Sequence, residues 1–277
     1  MVDSLGESIQ SVENHRKALW VLLIVFFVFW FLLPLVVPRF SYWIYLLTMP
    51  FRLLAVFVHE MGHGLSTLLS GGRFLWFQMD YNGGVAVTSG GLRIFTLLGG
   101  LLAPALMGAL LLQASTKIKQ IQWVTLVLGA FFLIGVYYMI KPLFLSSSQI
   151  PDLQQWSSKY LLSLVIPGTA ALLSFRLLAS TPGAQRYFLQ ILGILMCYSG
   201  FSDRSYIFRF QPLNQELLVN APQSAALFSD SRVVASLFWP GGPASVPFVV
   251  FFITATVICI LNFALLFWGI YGALKKA

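Results

Sequence analysis

The sequence predicts an all-α polytopic membrane protein of about six to seven transmembrane helices, with a small β-hairpin or sheet inserted after the second apolar helix. Three observations predict it. Of 277 residues, 58% are apolar and only 9% are charged, whereas a soluble domain runs at about 45–50% and about 25%. Apolar runs recur at the length needed to cross about 30 Å of hydrocarbon at 1.5 Å per helical residue. One stretch breaks the helical pattern: residues 73–91 alternate apolar and polar side chains around Asn82-Gly83-Gly84, a hairpin signal whose turn residues suit positive φ.

The same figures exclude a soluble globular protein, a disordered chain and a small disulfide scaffold. The formal charge is +8, but the basic residues are scattered singly between apolar runs. They fit anchoring at lipid headgroups, not binding of nucleic acid. Cys197 and Cys259 both fall in apolar runs and read as packing residues.

Taken in order, residues 1–18 are polar and end in Arg16 and Lys17. The first apolar run, 19–37, is too long for a signal-peptide core and has no small-residue cleavage site after it, so it reads as a retained span. A helix is expected over 50–69, opened by Pro50 and stopped by Gly71-Gly72, with 40–49 as a lead-in or a continuation of it. After the hairpin, spans are expected at 92–113, 124–144, 160–178, 187–201 and 246–271. The first of these contains Gly99-Gly100-Leu101-Leu102-Ala103-Pro104, whose small residues permit close helix contact. The polar segment 204–245 is too short for a separate domain. The expected organisation is a polar segment, 1–18, followed by one membrane-embedded unit, 19–277. Across seven spans, eight Lys/Arg fall on the side of the N-terminus and six on the other, which leans toward a cytoplasmic N-terminus.

Two of the three histidines lie in His59-Glu60-Met61-Gly62-His63, an H-E-x-x-H pattern. Spacing of four on a helix sets both imidazoles on one face, able to share a Zn²⁺ ion. Glu60 is placed to act as general base on a water at the metal. With three His and four Glu in the chain, chance yields about 0.0005 such patterns, and ionisable residues inside a membrane helix are functional by default. A catalytic zinc also needs a third protein ligand. The only other histidine, His15, lies in the polar N-terminal segment. Among the carboxylates, Asp203 is the best placed, at the end of a span. Asp230 and Glu216 are the alternatives, with helix N-capping the plain reading of Asp230. Asp80 and Asp152 fall in the hairpin and in a loop. Arg52, Lys141 and Arg176 read as side chains snorkelling to headgroups. Asn82, Gly83 and Gly84 either shape the turn or present backbone to an extended substrate by strand addition.

The chain resembles the site-2 protease family of intramembrane zinc metalloproteases, in its short branch without a PDZ domain. The resemblance rests on His59-Glu60-Met61-Gly62-His63-Gly64 inside a membrane helix, the Gly71-Gly72-Arg73 helix end, the hairpin with Gly83-Gly84, the small-residue span from Gly99 to Pro104 and a late Asp after a membrane segment. It covers residues 45–235. It implies zinc held by His59, His63 and a late Asp, with Glu60 as base and a membrane-protein substrate cleaved within or near its span. Asp203 is the position carried over first. The usual Asn-Pro before Asp-Gly is absent there, while Ser229-Asp230 ahead of Phe238-Trp239-Pro240 resembles the Ser-Asp pair of the short branch. Bacterial plasma membrane and plastid membranes both fit. Two other readings stand beside this one: a membrane zinc protease of the prenyl-protein-processing type, with Glu216 as third ligand, and a catalytically inactive zinc-binding membrane chaperone or regulator.

Overall fold

The computed structural model describes residues 17–28, 41–80, 83–117, 120–144, 158–202, 207–208 and 229–276. In chain order the helices are α1 (Lys17–Phe27), α2 (Ser41–Leu69), α3 (Arg93–Ser115), α4 (Ile121–Ile140), α5 (Ser158–Leu178), α6 (Pro182–Ser202), the short α7 (Asp230–Ser236) and α8 (Phe248–Lys276). Strands β1 (Arg73–Asp80) and β2 (Gly83–Ser89) lie between α2 and α3 and form a two-stranded antiparallel sheet. The hairpin is where the sequence places it.

One helix boundary settles between two expectations and one differs from expectation. The apolar stretch before Pro50 continues the helix, so α2 has 29 residues with Pro50 inside it. A membrane helix tolerates an internal proline because its neighbours re-satisfy the freed backbone groups. Helix α6 begins at Pro182, five residues before the apolar run that marked it. Thr181 caps this start, its Oγ1 accepting from the Ala184 N–H at 3.3 Å, and proline suits the first helical position. Polar Gln185 and Arg186 hid the start, although both are buried.

Among the described residues, α3, α4 and α8 are long and apolar enough to cross a membrane. The expected six or seven spans are not reached by that measure, because α2 and α6 mix inward-facing polar residues into their apolar runs. Helix α8 turns Phe252, Ile253, Val257, Ile260, Phe263 and Phe267 outward. An apolar face this continuous suits lipid, not water.

Helix α3 sits at the centre, against α2, α6, α7 and α8. Its small residues allow the close approach. A Cβ at Gly108 would lie 2.6 Å from the Gly193 carbonyl and the Cys197 Sγ of α6, and one at Gly269 of α8 would meet the Ala109 backbone at 2.6 Å. A Cβ at Gly62 of α2 would collide with the Gly99 carbonyl and the Ala103 methyl of α3.

The hairpin folds onto α2 through an aromatic core. Phe74 and Phe77 are three residues apart and would face opposite sides of a regular strand. A register irregularity between Phe74 and Trp76 adds one residue and turns both rings inward, where they stack at 5.9 Å. Phe77 then meets Phe57 of α2 edge-on at 5.5 Å, and Gly64 leaves the room that the Phe74 ring fills.

Overpacking the α3–α6 contact should be costly. Gly108→Val is expected to destabilise by about 1–3 kcal/mol, read as a lower Tm of purified protein in detergent. Gly168→Val, at a site with open space around it, should leave Tm unchanged.

Candidate metal centre

The centre is built from α2, where i, i+4 spacing sets His59 and His63 one turn apart on one face. Their rings meet edge to face, centroids 4.7 Å apart. A third residue joins them from 167 positions downstream. Asp230 Oδ2 lies 2.9 Å from His59 Nε2 and 3.2 Å from His63 Nε2, and the two Nε2 atoms are 3.1 Å apart. These three edges lie near the separation of about 3.3–3.4 Å that a tetrahedral ion imposes on ligands about 2.0–2.1 Å away.

The protonation of His63 points the same way. Its Nδ1 lies 2.8 Å from the Thr96 carbonyl oxygen of α3. A carbonyl can only accept, so Nδ1 carries a proton, and in the neutral ring Nε2 then offers its lone pair. The His63 Nε2, the His59 Nε2 and a carboxylate oxygen converge on one point, an arrangement able to hold a metal ion. A histidine that binds metal through one nitrogen and donates the other N–H to a carbonyl is the expected arrangement around an ion. The residues present therefore fit a zinc ion: two neutral imidazoles and one carboxylate, with room in the coordination sphere for a fourth ligand.

Asp230 is the first residue of α7, and Ser229 occupies the N-cap without a side-chain cap bond. The N-capping reading of Asp230 is thus corrected: its carboxylate faces the histidines. Helix α7 is pinned in place by Val233, Val234 and Ala235, which pack with Leu97 and Leu101 of α3 and Phe251 and Ala255 of α8. Arg232 is buried and its Nε donates to the Pro243 carbonyl at 2.8 Å, so it is not a loop charge facing headgroups.

Asp203, the carboxylate favoured from sequence, lies outside the described residues, as do Asn82, Asp152 and Glu216. Among the described residues the carboxylate brought to the histidine pair is Asp230. Glu60 is buried beside the pair, within electrostatic reach of His59, His63 and Asp230 and next to the Ala86 backbone N–H of β2. Gly84 of β2 lies over its side chain, for a Cβ there would be 2.6 Å from the Glu60 Cγ and Oε1. Gly83, with φ of 157°, has open space around its Cα. Arg52 and Arg176 are exposed, and Lys141 lies over the Tyr138 ring at 5.5 Å, all consistent with anchoring.

The sequence reading missed Thr96, whose contribution is a backbone carbonyl, and the role of Gly100, where a Cβ would collide with the His63 ring. Gly100 stood in the small-residue run already marked for close contact, so a signal was present. Thr96 left none.

Removing a ligand should remove the metal. Purified wild type is expected to hold about one zinc per chain, and Asp230→Ala to lose it. Retention of metal in Asp230→Ala, with loss in Asp203→Ala, would show the geometry around Asp230 to be misread. Elemental analysis after metal-replete purification checks this.

Residues 21–150 match the model of the Peptidase M50B-like family. No curated protein and no solved structure matches the chain. The matched stretch holds α2 with its His-Glu-x-x-His pattern, the hairpin, α3 and α4. Over residues 21–150 the chain is therefore similar to the Peptidase M50B-like family.

Proposed function

We propose that this protein is a multi-pass intramembrane zinc endopeptidase that hydrolyses a peptide bond within or near the membrane span of a protein substrate. The observation that carries the reading is the convergence of His59 Nε2, His63 Nε2 and Asp230 Oδ2 beside a buried Glu60. His59, His63 and Asp230 would hold a zinc ion there, which would supply Lewis acidity to a water and to the scissile carbonyl. Glu60 takes the proton of the attacking water and passes it to the departing amide nitrogen. Its burial keeps competing solvent away from that proton transfer.

A peptide bond inside a helix is shielded by hydrogen bonds, so the substrate unwinds locally before attack. Strand β2 is suited to receive the unwound segment. It crosses Glu60 at Gly84, and an extended chain added alongside it would lie next to the base. Gly83 and Gly84, with Asn82 before them, are the substrate-binding residues in this reading. The partners are a membrane-protein substrate and the surrounding bilayer, with the bacterial plasma membrane or a plastid membrane as location. The seat of Asp230 against both imidazoles favours an Asp as third ligand over the Glu216 of the prenyl-protein-processing reading.

In proteoliposomes, wild type should cleave single-span reporter proteins whose span carries helix-weakening residues. Glu60→Gln should lower kcat by about 10²–10⁴ while keeping its zinc. Turnover retained in Glu60→Gln would contradict the assignment of the base. No cleavage by zinc-loaded wild type across a panel of such reporters would favour the inactive zinc-binding reading.

A further inference from the structure

We infer that Thr67 is a positioning residue for the His63 ligand, acting through a hydroxyl bridge to Thr96. The inference rests on the zinc-site reading above and extends it to the residue that sets the ligand's orientation. Thr67 is fully buried, one turn after His63 on α2. Its Oγ1 donates to the His63 carbonyl at 2.8 Å and lies 2.8 Å from the Thr96 Oγ1 of α3. A hydroxyl has one proton. With the Thr67 proton on the His63 carbonyl, the proton in the second bond belongs to Thr96.

The bonds therefore close a ring between two helices. The Thr96 hydroxyl donates to Thr67, and the Thr67 hydroxyl donates to the His63 backbone. The His63 Nδ1–H donates back to the Thr96 carbonyl at 2.8 Å. The last bond fixes the tautomer and the ring plane of the ligand. The first two fix the place of the Thr96 carbonyl relative to α2. A helix carbonyl moves with its helix, so the hydroxyl bridge sets where the acceptor stands.

The other branch of the Thr67 side chain has a separate job. Its methyl abuts Gly72, where a Cβ would be 2.5 Å away, and Gly91, where one would be 3.3 Å away. Gly72 directly precedes the hairpin, and Gly91 lies two residues past its end. The Thr67 carbonyl also accepts from the Gly72 N–H at 2.8 Å. One residue thus ties the ligand to α3 by its hydroxyl and the hairpin base to α2 by its methyl, and the two can be tested apart.

The test measures zinc affinity of the purified full-length protein in detergent, by competition with a chelator. Thr67→Val keeps the methyl and the shape but removes the hydroxyl, and should weaken zinc binding about tenfold, the low end for loss of an outer-shell partner. Thr67→Ser restores the hydroxyl and should bind like wild type. Thr96→Val should match Thr67→Val, and the double variant should lose no more than either alone, because both remove one bridge. Should Thr67→Val fail to fold, Thr96→Val carries the same expectation. Wild-type affinity in Thr67→Val, or equal weakening in Thr67→Ser, would overturn the positioning role and leave the zinc site standing. Failure of wild type to take up zinc would overturn both.

Discussion

An apolar interior offers no water to a stranded imidazole or carboxylate, and that constraint organises this protein. Two histidines, an aspartate and a glutamate are gathered inside a chain with few charged residues. Each needs a partner where it stands. The Nε2 atoms and the Asp230 carboxylate face one another, and the far side of His63 is held by Thr96. The rest of the architecture follows from bringing these groups together. Helix α3 must run close enough to α2 to offer a carbonyl, which requires the small residues Gly62, Gly99, Gly100 and Ala103 at the contact. Helix α7 must be pinned against α3 and α8 to deliver Asp230.

The hairpin obeys the same constraint. A two-stranded sheet with open edges cannot lie in lipid, and here it is held on α2 by Phe74, Phe77 and Met79. Its second strand passes over Glu60 at the one kind of residue without a Cβ. The separation of Gly84 from Glu60 leaves no room for any other side chain, so the strand is fixed beside that carboxyl group. Fold and proposed chemistry share the same few close contacts.

Much of this was legible in the sequence, and the rest failed for physical reasons. The metal-binding pair was readable because four-residue spacing on a helix is a local geometry. The hairpin was readable from alternation and Asn-Gly-Gly. The small-residue run of α3 announced a close helix contact. Asp203 was preferred to Asp230 in the sequence because Asp230 reaches the histidines only through the packing of α7, and its position before a short helix looks like a cap. The start of α6 was hidden because Gln185 and Arg186 interrupt the apolar run while remaining buried. Pro50 looked like a helix start because proline usually is one in water; within a membrane helix it is tolerated mid-run. The bridge of Thr67 and Thr96 was invisible because neither hydroxyl carries a motif and one of the bonds uses backbone.

The central claim is that one ion sits among two imidazoles and a carboxylate. X-ray absorption at the zinc edge of the purified protein tests it most directly. The account predicts a shell of about four nitrogen and oxygen ligands at about 2.0–2.1 Å, with multiple scattering from two imidazole rings. A sulfur shell, or scattering from fewer than two imidazoles, would contradict it.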